Sequence, residues 1–451
     1  MKKVLLRRIH LLFALLLSAG LLAGCIASPA VDPGQNASGQ DGKEKPKIRI
    51  AYSWNAGTGF EKAFSDQLKQ FGEDNAELAE YTFEGERGDS LRDKIKIDQA
   101  ANSLPDIFYY WSLTSLKTMY EEGLILDVNK YFDASNSVKA DKFVRYALDA
   151  YSPDGKSVYA VPATGSMDYF ACNRELFEKY GLKYPKTYEE LLAVSKVFRD
   201  NGVTPLAVGS KGGNPAHFLF AEVYYQFGSL EYMNKVTTGK NRFDYDLNRK
   251  TADIVLDMAR NGLFPEDTVA SGYFAPSVSL FNEEKAAMIL GQTWSIQYFK
   301  DEIIPKIDLI TFPKFPDAVN DPSSFCVGGV NNGWVINRAS FEDPKEGKAV
   351  VAAMDFLVSD RIMSLIAENG EFIMKKMEVD PSKLSPLYKK VVQFTQAQKP
   401  LTNFWILMPD PTSQEVLSVS MDELWAQTID SATFCRKIQS SIDNAVQNEL
   451  P

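Results

Sequence analysis

The chain has 451 residues, 24% of them charged, and a formal net charge of −10. That balance excludes a nucleic-acid binder, whose affinity for phosphates comes from Lys and Arg, and the length leaves room for two or three lobes at roughly 150 residues each. With only two histidines, a His-ligated metal centre and Ser-His or Cys-His nucleophilic chemistry are both disfavoured.

The first residues set the compartment. Lys2, Lys3, Arg7 and Arg8 precede the apolar run Ile9 to Leu22, which is too short and wrongly flanked for a membrane span and reads as an export signal. Its end, Leu22-Ala-Gly-Cys25, resembles the lipobox cut by the lipoprotein signal peptidase. The resemblance implies that Cys25 becomes the mature N-terminus and carries a diacylglycerol thioether, an anchor rather than a span. Residues 1–24 are then the signal peptide, and 25–46 the lipidated cysteine with a flexible stalk rich in Pro, Gly, Ser, Gln and Asp. Loss of the four basic residues takes the net charge from −10 to −14. No later run is long and apolar enough to cross a bilayer, so the body is expected outside the cytoplasm. Cys172, Cys326 and Cys435 are widely spaced with no C-x-x-C pair, which argues against a zinc site and a disulfide framework and leaves a single pair among them open.

From Lys47 the chain alternates strand and helix. Lys47 to Tyr52 has period two, and Phe60, Ala63, Phe64, Leu68 and Phe71 have helical spacing. Tyr81 to Glu84 is strand-like, Ser90 opens a helix carrying Leu91 and Ile95, and Pro105 to Trp111 contains a buried strand followed by a helix that Gly123 closes. Short βα connections argue for a parallel sheet flanked by helices.

The chain pivots at Tyr159 to Phe177. Ser152-Pro-Asp-Gly155 is a turn, Val158 to Val161 a short strand stopped by Pro162, and Met167 to Cys172 a second apolar run before an Asn173 N-cap and a helix ended by Gly181. This segment is the expected crossing between two lobes, where binding clefts form. Beyond it, Thr187-Tyr-Glu-Glu190 fits a capping box, Thr204 to Val208 a strand and Ala216 to Phe227 a helix after a glycine-rich loop. Helices are expected over Asp253 to Gly262 and Pro276 to Asn282, and a strand over Ala286 to Leu290. Ile307 to Phe312 reads as a second crossing, Gly333 to Asn337 as a strand, and Glu346 to Leu357 as a helix. The last third is mostly helical by pattern, most clearly Asp422 to Ile429.

Five of the six tryptophans fall in loops or at strand ends: Trp54, Trp111, Trp294, Trp334 in the Gly328 to Trp334 turn, and Trp405. Ligands of parallel α/β sheets bind off the carboxyl ends of the strands. A pyranose has an apolar C–H face to stack and a hydroxyl rim to hydrogen-bond, so aromatics interleaved with carboxylates and amides suit it. Asn55, Glu84, Asp168, Asn214 and Asn332 lie in or beside these loops. The nucleophile-elbow, zincin, Walker and dinucleotide-binding signatures are absent; paired carboxylates for glycoside hydrolysis stay open at this level.

Leu104-Pro-Asp-Ile-Phe108, Gly123-Leu-Ile-Leu-Asp127, Tyr159-Ala-Val-Pro162, Asn173 to Gly181, Pro185 to Leu191, Lys285 to Gly291 and Gly333-Trp-Val-Ile-Asn337 occur in one order. With them, the chain from about Ile48 resembles the extracellular solute-binding proteins of family 1, the lipoprotein receptors of bacterial ATP-binding-cassette sugar importers. The resemblance implies an α/β, type II periplasmic-binding-protein-like fold, with two discontinuous lobes, a hinge and an interlobe cleft. It implies residues 47–162 plus 312–359 as lobe 1 and 164–311 plus 360–451 as lobe 2. Tyr110 or Trp111, Trp294 and Trp405 match the family's stacking aromatics, and its polar contacts fall near Trp54-Asn55, Ser166 to Asp168 and Asn214 to Phe218, including His217. Where many relatives carry a tryptophan, this chain has Gly213-Asn-Pro-Ala-His217.

The expectation is a lipid-anchored, extracytoplasmic monomer that binds a carbohydrate, of oligosaccharide size, and hands it to the permease of an importer, with no cofactor, metal or catalysis. A same-fold receptor for a peptide or polyamine, and a secreted glycosidase, are the alternatives.

Overall fold

The computed structural model describes residues 45–54, 59–86, 88–111, 113–152 and 155–448. The export signal, Cys25 and Asn55 lie outside the described residues. Twelve strands are present among them: β1 Lys47–Tyr52, β2 Glu80–Gly85, β3 Ile107–Tyr110, β4 Val161–Asn173, β5 Thr204–Ala207, β6 Ser210–Lys211, β7 Asn214–Pro215, β8 Ala286–Gln292, β9 Ile307–Ile310, β10 Phe325–Ile336, β11 Phe372–Ile373 and β12 Lys399–Leu401. The main sheet runs β2-β1-β3-β10-β4-β8-β5, with β9 and β11 also on β4 and β12 on β10. The first three strands pair in parallel through βα connections, as the alternating pattern predicts. β10 is antiparallel to both β3 and β4.

Local signals account for most boundaries. In the helix Gly59–Asp74, Phe64, Leu68 and Phe71 recur at helical spacing and are buried. Thr187 and Glu190 form the expected capping box on Tyr188–Asp200, and the Asn173 side chain accepts from the Leu176 N–H at 3.2 Å. Two elements begin earlier than their patterns: the helix predicted from Asp253 begins at Asp246, and the one expected over Asp422 to Ile429 spans Pro411–Trp425, ending before Ile429.

Two hydrophobic bodies share this sheet. The first packs β1 to β3 and the end of β10 against helices, burying Ile50, Phe108, Trp334, Val350 and Ile366. The second lies on one face of β4, β5 and β8 and buries Phe170, Leu219, Met288, Leu417 and Trp425, while Tyr169, Phe281, Ile289 and Val391 fill the other face. Area removed from water at this scale is the main stabilising term.

The crossing differs from its sequence pattern. β4 is one continuous strand of 13 residues, not two short runs divided at Pro162. Pro162 is tolerated because it faces Gly333 of β10 on one side, while β11 reaches β4 only at Thr164 and Gly165, so no ladder bond needs its missing N–H. The second crossing is also later than expected. Phe312, Phe315, Phe325 and Val327 pack in the second core, and β10 carries the chain back. Likewise Ile362, Met363 and Ile366 pack in the first core, beyond the boundary placed at residue 359.

Candidate ligand-binding site

β4 and β10 pair closely where they pass between the two cores. A Cβ on Gly328 would lie 2.2 Å from the Ser166 carbonyl oxygen, and one on Gly165 would lie 2.4 Å from that of Gly329, so only glycine permits the approach. The register shifts at Asn332. Gly328 to Asn332 is the half-exposed part of an otherwise buried strand, and candidate ligand groups flank it.

On the second core's side, Asp168 of β4 stands opposite Gln292 of β8. Directly opposed residues share a face with Cβ atoms about 5 Å apart. The two Asp168 oxygens and the Gln292 Nε2 have no hydrogen-bond partner, although all three atoms are buried; the Gln292 side-chain oxygen caps the turn Thr293–Tyr298 by accepting from the Ser295 N–H. Glu222, from the helix Ala216–Tyr225, accepts the Val327 N–H at 2.9 Å. Burial pushes the Glu222 carboxyl up to about 7, against the pull of that bond. Burial also raises the Asp168 carboxyl well above the usual range, and the neighbouring Glu222 charge adds to the rise.

Rings line the approach. Trp294 is half-buried and edge-on to Phe274, with centroids 4.5 Å apart; Phe274 meets Phe218, and Phe218 meets His217. Trp405 sits in the short helix Phe404–Leu407, whose start Asn403 caps by accepting from the Ile406 N–H. Its Nε1 donates to Ser418 Oγ at 3.1 Å, and its carbonyl accepts from Gln414 Nε2 at 3.1 Å, so the half-buried ring is held in place. The Arg92 guanidinium, from the helix Asp89–Ala100 of the first core, stands 5.9 Å from the Trp405 centroid, a cation–π contact that spans the two bodies. Tyr110 and Trp111 stack at 5.5 Å at the end of β3; Tyr110 is fully buried and Trp111 half-buried.

The loop before the helix Ala216–Tyr225 is held by Asp422. Its carboxylate accepts from Ser210 Oγ at 2.6 Å, Gly212 N at 2.8 Å and Gly213 N at 2.9 Å. Gly213 in turn abuts Ser418, the residue that holds Trp405: a Cβ there would lie 3.0 Å from the Ser418 Cα. Asn214 keeps a buried, unpartnered Oδ1. His217 is buried with Nδ1 2.6 Å from the Gly213 carbonyl, and burial lowers its pKa to about 4, so the ring is neutral and donates to that carbonyl.

The structure therefore sorts the sequence candidates. Asp168 and Asn214 keep buried, unpartnered oxygens, and Trp111, Trp294 and Trp405 are half-buried, so these five stay candidates, while the His217 ring is engaged by the Gly213 carbonyl. Trp54 does not join them: it is buried against Phe60, Phe64 and Tyr109. Trp334 is fully buried in β10 against Tyr109, in a strand and not a turn. Glu84 pairs with Arg49 at 2.8 Å and Lys94 at 2.9 Å, which engages both of its oxygens. Asn332 donates to Thr164 Oγ1 at 3.3 Å, Thr164 is 2.7 Å from the Tyr109 hydroxyl, and Ser166 is buried. Glu222, Gln292, Arg92 and Asp422 escape sequence reasoning. Glu222 alone left a signal, a lone acid in the apolar run Ala216–Tyr225. Two surface grooves of about 530 Å³ each, one lined by Asp410, Arg436 and Asn444, the other by Asp301, Ile304 and Lys390, share no residue with this set.

Comparison with known proteins agrees with this architecture. The model for bacterial extracellular solute-binding proteins matches residues 52–363. The chain is 25% identical over 321 residues to an uncharacterized ABC transporter extracellular-binding protein of Pyrococcus horikoshii, covering 69% of this chain and 70% of that one. It is 24% identical over 382 residues to a polygalacturonan/rhamnogalacturonan-binding protein of Bacillus subtilis, covering 80% of this chain and 72% of that protein. Among solved structures, a chitin oligosaccharide binding protein superposes with a TM-score of 0.77 at 18% identity, over 88% of this chain and 99% of that one.

Proposed function

The chain belongs to the bacterial extracellular solute-binding proteins, and from that premise we propose that it captures a carbohydrate in the cleft between its two bodies and delivers it to an ABC-importer permease. The family consists of receptors rather than enzymes, and in this reading no bond is made or broken. The observation that carries the carbohydrate reading is the half-buried Trp405 ring, held at its Nε1 edge by Ser418, with its backbone carbonyl held by Gln414, and faced by Arg92. A rigid aromatic face beside buried, unpartnered polar atoms suits a pyranose, which offers one apolar face and a rim of hydroxyls. Relatives with sugar-binding names support the same class.

The proposed lobes follow the cores: about 47–164 with 328–377, and about 165–327 with 384–448. β4 and β10 are the proposed hinge, and closure brings Arg92 and Trp111 to one side of the ligand and Trp294, Trp405 and Asp168 to the other. The proposed chain is a monomer held outside the cytoplasm by lipid on Cys25, with residues 26–46 as its tether. Among the described residues no helix is long and apolar enough to cross a membrane.

A thermal-shift screen against glycans, peptides and polyamines tests the reading. A ligand at about 100 times its Kd adds roughly 2.7 kcal/mol to stability. A shift with one glycan series, cut to about half in Trp405→Ala at the same ligand concentration, is the expected result; shifts with peptides alone would overturn the carbohydrate class.

A further inference from the structure

The groups flanking Asp168 are short of positive charge. Asp168 is 2% exposed and contributes two unpartnered oxygens; Gln292 is fully buried, its Nε2 unpartnered and its side-chain oxygen accepting from the Ser295 N–H. Glu222 approaches from the helix Ala216–Tyr225, one oxygen engaged by the Val327 N–H. The titratable groups facing the two carboxyls are the Cys326 thiol of β10, which both influence, Tyr169 beside Asp168, and Tyr225 beside Glu222. Each is raised by burial and neutral at pH 7. His217, on the same helix as Glu222, is neutral as well. Among the described residues no Lys or Arg contributes to the electrostatic surroundings of either carboxyl.

Two buried acids side by side without a counter-charge are costly, and they keep protons until a cation arrives. A ligand hydroxyl supplies one donor and no charge, and a ligand carboxylate is repelled. A protonated amine supplies a positive charge and up to three donors with no acceptor of its own. Asp168 follows the half-buried Met167, whose partner Gly328 begins the half-exposed stretch of β10, so the pair adjoins that stretch. We propose that Asp168, Glu222 and Gln292 form a subsite for a protonated amine on the ligand, a hexosamine unit whose ring stacks on Trp294 or Trp405. The amine subsite deepens the receptor reading and rests on it, but only the hexosamine assignment rests on the sugar class; a polyamine would use the same carboxyls.

Isothermal titration calorimetry of the full chain at pH 7.5 tests this, using a glucosamine tetramer, its N-acetylated counterpart, a neutral glucose tetramer and spermidine, each against wild type, Asp168→Asn and Glu222→Gln. The expected result is at least tenfold tighter binding of the glucosamine tetramer than of the other two tetramers. That preference disappears in Asp168→Asn, and an enthalpy that varies with buffer reports proton release by the carboxyls. Glu222→Gln provides the same readout should Asp168→Asn fail to fold. Equal affinity for the neutral tetramer, or a preference that survives both substitutions, overturns the amine subsite and leaves the sugar receptor standing. Binding of spermidine alone, lost in Asp168→Asn, keeps the subsite and overturns the carbohydrate reading. Failure of both amines to bind overturns the subsite.

Discussion

Trp334 and Trp405 show how one residue type takes opposite roles. Trp334 is fully buried between β3 and β4, whereas Trp405 is half-buried with its edge held by Ser418. Trp334→Ala should cost about 3–5 kcal/mol in denaturant unfolding, the range for emptying an aromatic site in a core. Trp405→Ala should leave most stability intact and weaken ligand binding about tenfold, which is near 1.4 kcal/mol. Glu371 makes a second residue-scale prediction. It is buried with an unpartnered Oε2, and burial pushes its carboxyl up to about 8. A folded pKa above the unfolded value means the stabilising contribution is fully present below about pH 4.5 and is lost as pH rises towards 8. Glu222, raised to about 7, acts in the same direction. Wild type should therefore lose stability between about pH 4.5 and 8, and Glu371→Gln should lose less of it over that range, with a gain on the order of 2 kcal/mol at pH 8. Identical pH profiles for the two proteins would count against a strained Glu371.

The elements around the site are joined by few, specific contacts. Asp422, on the helix Pro411–Trp425, organises the Ser210–Gly213 segment with three hydrogen bonds, and Gly213 abuts the Ser418 that holds Trp405. Bonds to a charged acceptor contribute about 1.5–3 kcal/mol each at most, with strong overlap among bonds to one group. Asp422→Ala should lower affinity by several-fold without touching ligand, read as a loss in titration calorimetry with far-UV circular dichroism unchanged. At the crossing, Gly328→Ala drives a methyl to 2.2 Å from the Ser166 carbonyl, so β4 and β10 must separate. The expected cost is about 1–3 kcal/mol, measured by chemical denaturation.

At the scale of the molecule, one sheet serves two cores, and among the described residues two long strands and the chain near β11 pass between them. Bending there rotates the cores as bodies, because packed interiors do not deform continuously. Ligand that touches both bodies favours the closed arrangement by its differential affinity. Small-angle scattering should show a smaller radius of gyration on saturation with a demonstrated ligand. An unchanged profile would remove hinge closure from the proposed mechanism.

The sequence by itself determined the alternating βα grammar, the caps at Asn173 and Thr187, and the place of β4 as a crossing. These rest on near-neighbour chemistry: periodicity, a side-chain oxygen three residues before an N–H, a glycine at positive φ. The family motifs also lay in plain order along the chain. Only the tertiary structure decided which tryptophans are core and which are rim, since Trp54 and Trp334 are buried by partners 6 to 225 residues away. It likewise placed the return crossing at β10, because Phe312 and Phe315 are claimed by aromatic neighbours in the second core. Asp168, Glu222 and Gln292 came together through strand register and helix packing, and no spacing along the chain encodes a contact made across a sheet.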